Sequence, residues 1–123
     1  MLSFLSVFIG GGLGASSRYV LSRFINKKYV PWGTFLVNVL GCFIFGVFVS
    51  LFLVQKLLPN EKMFLLSGFC GGFTTFSTFC SESGNLLEGT KKDVLMWFGY
   101  LASSVFCGLF AMYFGLHLFS VFS

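Results

Sequence analysis

Two phenylalanines among hydroxyl residues carry the most specific chemistry in this chain. Phe76 and Phe79 stand at i, i+3 in the segment Gly71-Gly72-Phe73-Thr74-Thr75-Phe76-Ser77-Thr78-Phe79. The edge of an aromatic ring is electropositive, and Ser77, Thr78 and Ser81 can donate hydrogen bonds beside those edges. A partly dehydrated anion could rest there while the hydroxyls replace part of its water. With 19 phenylalanines in the chain, any one alone reads as lipid-facing or core, and the flanking hydroxyls set these two apart. Tyr100 and Ser104, four residues apart, repeat the donor character on one helical face. Donors without charge suit a small anion that accepts hydrogen bonds strongly, binds, and still leaves. Spacing supports an anion path and does not name the ion.

Three more polar features lie where they are expensive. Thr34 and Asn38 are one helical turn apart inside an apolar stretch. An unpaired amide in hydrocarbon costs about 2–7 kcal/mol, so Asn38 either clasps a neighbouring helix or lines a path for water or ions. Arg18 follows a serine pair, at a cost of at least about 2.5 kcal/mol in a bilayer. It either snorkels to the interface along its stem or lines an aqueous vestibule that draws anions. Gly71, Gly72, Thr74 and Thr75 are poor helix formers, each glycine costing up to about 1 kcal/mol relative to alanine. They predict a break over 71–75. Irregular backbone at membrane depth survives only inside protein or facing a cavity, and its freed carbonyls could ligate a hard cation such as sodium.

The elements that must position these residues are membrane helices. Hydrophobic residues make up 56% of the 123 and charged residues only 10%, against about 25% charge in a soluble domain. Residues 1–17, 29–55, 63–81 and 94–123 contain no Asp, Glu, Lys or Arg. Spanning a bilayer takes about 20 apolar residues, so the pattern predicts four spans, near 2–24, 33–57, 63–87 and 94–119. They form a single all-α transmembrane domain over 1–123, with the third helix broken near its middle. The connections at 25–32, 58–62 and 88–93 are short enough to make consecutive spans antiparallel. The first span lacks a basic leader and a small-residue cleavage site, and reads as retained.

Small-x-x-x-small pairs (Gly10 and Gly14, Gly11 and Ala15, Gly12 and Ser16, Gly68 and Gly72) predict close helix approach. Four helices leave little interior, so an ion path would need surfaces from a second copy. Cys42, Cys70, Cys80 and Cys107 lie in apolar runs without metal-ligand spacing and read as small hydrophobes. Arg23, Lys27, Lys28, Lys91 and Lys92 follow the first and third spans, against Lys56 and Lys62 on the other side. That is a modest positive-inside lean. The net charge of +4 reflects these loop cations, not nucleic-acid binding.

The motifs Gly11-Gly12-x-Gly14-Ala15-x-x-Arg18-Tyr19, Gly33-Thr34-x-x-Val37-Asn38-x-x-Gly41 and Gly71-Gly72-x-Thr74-Thr75-Phe76-Ser77-Thr78-Phe79 resemble those of the Fluc/CrcB family of fluoride channels. The resemblance covers essentially the whole chain in length, span count and motif order. It implies an antiparallel, dual-topology homodimer in the cell membrane, with two pores along the subunit interface exporting fluoride passively and conferring fluoride resistance. Phe76, Phe79 and Asn38 match the family's aromatic box, Tyr100 and Ser104 its polar track, and Arg18 a vestibule arginine. Backbone carbonyls of Gly71 and Thr74 match those holding a structural sodium ion between subunits. The uneven loop charges fit dual insertion loosely, consistent with a partial orientation bias or pairing with a homologous chain. A small multidrug-type proton-coupled exporter shares the size and span count. It needs a membrane carboxylate, and the first two spans have none; Glu82, toward the end of the third, is the nearest candidate. A non-transporting assembly factor would explain the glycines but not the Phe-Ser-Thr-Phe segment. No nucleotide motif or nucleophile–base pair supports catalysis.

Overall fold

The computed structural model of the chain describes residues 2–25, 32–54, 58–74, 80–81, 84, 88–118 and 121. Most of these residues are helical, and there is no strand among them. Helix α1 spans Leu2–Ile25 and α2 spans Trp32–Leu53. A continuous helical run follows: α3 (Pro59–Lys62), a π-helical segment (Met63–Cys70) and α4 (Gly71–Phe73). The last element, α5, spans Lys91–Leu118. Helices α1, α2 and α5 are each long and apolar enough to cross a membrane.

The elements pack as two parallel pairs. Gly10 lies against Phe64 and Gly68, and Gly14 against Phe69 and Phe73, so α1 and the run 59–73 advance in the same direction. Phe35 meets Tyr100, Cys42 meets Gly108, and Gly46 meets Met112 and Leu116, so α2 and α5 are parallel as well. Glycine makes the contacts possible. A Cβ on Gly14 would overlap the Phe69 carbonyl oxygen and come within 2.8 Å of the Phe73 nitrogen. Gly46 and Gly115 play the same part between α2 and α5, each abutting backbone of the opposite helix.

The outside of the bundle is apolar. Phe4, Phe24, Leu95, Phe106 and Phe110 are all more than 70% exposed, an arrangement suited to lipid and costly in water. Ser6 and Ser17 return their hydroxyls to the Leu2 and Leu13 carbonyls at 2.8 Å, which satisfies them inside a single helix.

Two boundaries differ from the sequence reading. The stretch 59–62, expected as a loop, is the first turn of the third helical run. Pro59 suits an N-terminal position, and Glu61 Oε2 accepts from the Leu58 N–H at 2.9 Å. The last helix starts at Lys91, three residues before the charge-free stretch. Asp93 Oδ2 accepts from the Thr90 N–H at 2.6 Å and the Thr90 hydroxyl at 2.8 Å, fixing its first turn.

Candidate functional site

The three polar motifs of α1, α2 and the third run meet in one layer. The run ends at Phe73, and Thr74 turns to an extended conformation with φ −79° and ψ 148°. Gly71 and Gly72 themselves remain helical. The disturbance instead starts earlier, in the π-wound Met63–Cys70. Thr74 stays tied to the last turn: its N–H and its hydroxyl both donate to the Cys70 carbonyl, at 3.0 and 2.8 Å.

Helix α2 makes room for this end. Gly41 faces Thr74 so closely that a Cβ there would collide with the threonine methyl and press the Phe73 ring at 3.2 Å. Asn38, half-buried, lies three residues before Gly41, about 4.5 Å along the axis. Thr34, one turn further, is 1% exposed. From α1, the Arg18 Nε donates to the Gly72 carbonyl at 3.3 Å. This carbonyl lies in the last turn of the run. A cation at a helix C-terminus is also favoured by the macrodipole. The guanidinium therefore has a specific backbone partner at the helix end, beyond either sequence-based alternative.

Helix α5 contributes the facing donors. Tyr100 is 7% exposed, and its ring centroid lies 6.5 Å from that of Phe35. The parallel register that sets Phe35 beside Tyr100 and Cys42 beside Gly108 places Asn38 at the depth of Ser104. The Ser104 hydroxyl is buried without a hydrogen-bond partner among the described residues, as is the Trp97 indole nitrogen. An unsatisfied buried polar atom costs about 1–3 kcal/mol. The two stand on one face of α5, seven residues apart. Phe76, Ser77, Thr78 and Phe79 lie outside the described residues.

Residues 5–116 match the family described as CrcB-like protein, Camphor Resistance (CrcB). The chain belongs to this family. Relatives named "Fluoride-specific ion channel FluC" include one from Gloeothece citriformis, 40% identical over 121 residues, which covers 96% of this chain and 97% of the relative. Another, from Phocaeicola vulgatus, is 40% identical over 119 residues, covering 94% and 97%. A third, from Chlorobium phaeobacteroides, is 42% identical over 116 residues, covering 92% and 88%. With its three membrane-length apolar helices, this CrcB-family chain is a multi-pass membrane protein.

The helix end also presents carbonyl oxygens. Gly71 is exposed with open space beside its Cα. Gly71 and Thr74 also line a mostly apolar cavity of about 210 Å³ with Gly41, Cys42, Phe45, Leu66, Cys70 and Met112. Neutral carbonyl oxygens are the donor type a monovalent hard cation takes. Two carbonyls from one chain are too few for a full shell, so the fit requires a second copy.

Trp97 is the residue that sequence reasoning missed at this site. A search for hydroxyls and amides passes over an indole. Its spacing was the available signal, since Trp97, Tyr100 and Ser104 stand at i, i+3 and i+7.

Proposed function

We propose that the chain is a passive, fluoride-selective ion channel that lets fluoride leave the cell across the cell membrane. The observation that carries this reading is near-full-length identity of about 40% to relatives named as fluoride-specific ion channels. The site chemistry supports it. Thr34, Asn38, Tyr100 and Ser104 offer neutral donors on facing helices, and the acidic residues of the chain stand only at 61, 82, 88 and 93. Neutral donors hold a small anion weakly enough to release it. The driving force is the membrane potential, worth about 2.3 kcal/mol per charge per 100 mV. The protein is not an enzyme.

The fuller architecture belongs to the same proposal. Four spans, with a third helix interrupted after Phe73, form one half of a homodimer whose subunits insert in opposite orientations. Two pores run along the interface, through the box of Phe76, Phe79 and Asn38 and the track of Thr34, Ser77, Thr78, Tyr100 and Ser104, with Arg18 near a vestibule. Structural sodium sits between subunits on the Gly71 and Thr74 carbonyls. The open space beside Gly71 and Gly99 supports this reading, since it leaves room for another backbone. When bound, sodium would supply positive charge at the break and tie two helix ends together. Arg18 holds the Gly72 carbonyl, leaving the neighbouring carbonyls for the ion.

Expression in bacteria deprived of their own fluoride export tests the proposal. The chain should restore growth in fluoride medium and lower cellular fluoride. Unchanged sensitivity, with the protein present in the membrane, would refute it.

A further inference from the structure

We infer that the Trp97 indole N–H is a further hydrogen-bond donor of the anion path, and the outermost one on α5. The inference rests on the fluoride-channel reading. Trp97 precedes Tyr100 by three residues and Ser104 by seven, so the three share the face of α5 turned to α2. Its Nε1 atom is buried and has no hydrogen-bond partner among the described residues. Ser104 Oγ, two turns along the same face, is in the same condition. One such atom would be a local fault; two on one face, on either side of Tyr100, describe a track.

The chemistry of the indole narrows what completes it. A serine hydroxyl can donate or accept, whereas an indole N–H only donates. The missing partner is therefore an acceptor; Asp93, one turn before Trp97 on this face, has its carboxylate engaged by the Thr90 N–H and hydroxyl, and an anion fits. The Trp97 ring meets Phe98 edge-on at 4.6 Å between centroids, which limits its orientations. Its position fixes its place in the sequence of contacts. Helices α2 and α5 are parallel, so their starts lie at one end of the bundle with Arg23, Lys91 and Lys92. Trp97 stands about 4.5 Å nearer that end than Tyr100. An anion concentrated by those cations meets the indole N–H first and exchanges one water for it before reaching the Tyr100 level.

The test uses the reconstituted protein labelled with ¹⁵N-tryptophan. Only Trp32 and Trp97 are present, so two indole signals appear, assigned with Trp32→Phe and Trp97→Phe. Sodium fluoride should shift the Trp97 indole proton saturably, sodium chloride at equal concentration should not, and Trp32 should stay in place. In liposome efflux, Trp97→Phe keeps the ring and loses the donor, and fluoride flux should fall about tenfold, the worth of one bond to a charged acceptor. An indole signal unmoved by fluoride in protein that conducts would overturn the inference, even if Trp97→Phe fails to assemble. A correctly assembled Trp97→Phe that conducts at the unaltered rate would overturn it too. Failure of the unaltered protein to conduct fluoride would instead defeat the channel reading, and this inference with it.

Discussion

Gly14→Ala and Gly12→Ala should move stability in opposite directions although the positions are two residues apart. At Gly14 the added methyl has nowhere to go. It would overlap the Phe69 carbonyl oxygen and stand 2.8 Å from the Phe73 nitrogen, both fixed backbone atoms. Comfortable contact needs about 3.5 Å, so α1 and the third run must part by at least about 0.7 Å, loosening contacts along the pair. Overpacking of this kind costs about 1–3 kcal/mol. At Gly12 no atom lies within 4 Å of the new methyl, and alanine gains up to about 1 kcal/mol of helix propensity. The two variants should therefore differ by about 1–4 kcal/mol. Thermal loss of the monodisperse elution peak in detergent measures this on the dimer and on dilute monomer. The packing account fails if Gly14→Ala melts at or above the parent. A loss at Gly12→Ala restricted to the dimer would place that face in the interface.

Three further expectations concern the path. Phe76→Ile and Phe79→Ile should each cost under about 1.5 kcal/mol of stability yet cut fluoride efflux severely, whereas Phe4→Ile and Phe110→Ile, both lipid-exposed, should conduct normally; equal, mild behaviour of all four refutes a pore role. Asn38→Ala and Asn38→Asp should both assemble and both lose most flux, the first by removing the donor and the second by adding a repelling charge; normal flux in both would contradict this. Purification in lithium or N-methylglucamine in place of sodium should weaken the dimer or its conduction if Gly71 and Thr74 carbonyls hold the ion, and unchanged melting and flux after exhaustive removal would argue against the site.

Much of this arrangement was legible in the residues, and what was not has identifiable causes. Glycine spacing announced close helix approach, and Gly10, Gly14, Gly68 and Gly72 do meet backbone to backbone. The partner of each glycine row was not legible, because spacing specifies a face and not what lies across it. Helix starts at Pro59 and Lys91 were written in Pro59 with Glu61 and in Thr90 with Asp93. Charge counting alone hid them by assigning polar residues to loops. The glycines and threonines of 71–75 predicted a break within that stretch, without saying at which residue. The run winds as a π-helix before the glycines and stops after them, since propensity gives the cost of glycine and packing against α1 offsets it. Arg18 could not be assigned from sequence because its acceptor is a backbone carbonyl 54 residues away.

Efflux from liposomes is the most direct test of the central claim. Purified protein is reconstituted into vesicles loaded with potassium fluoride, diluted into fluoride-free isotonic medium, and released by valinomycin under a fluoride electrode. The account predicts rapid fluoride loss, with chloride-loaded vesicles retaining their anion and an internal pH dye showing no proton coupled to the movement. Retained fluoride, chloride leaving at a comparable rate, or a stoichiometric proton flux would contradict it.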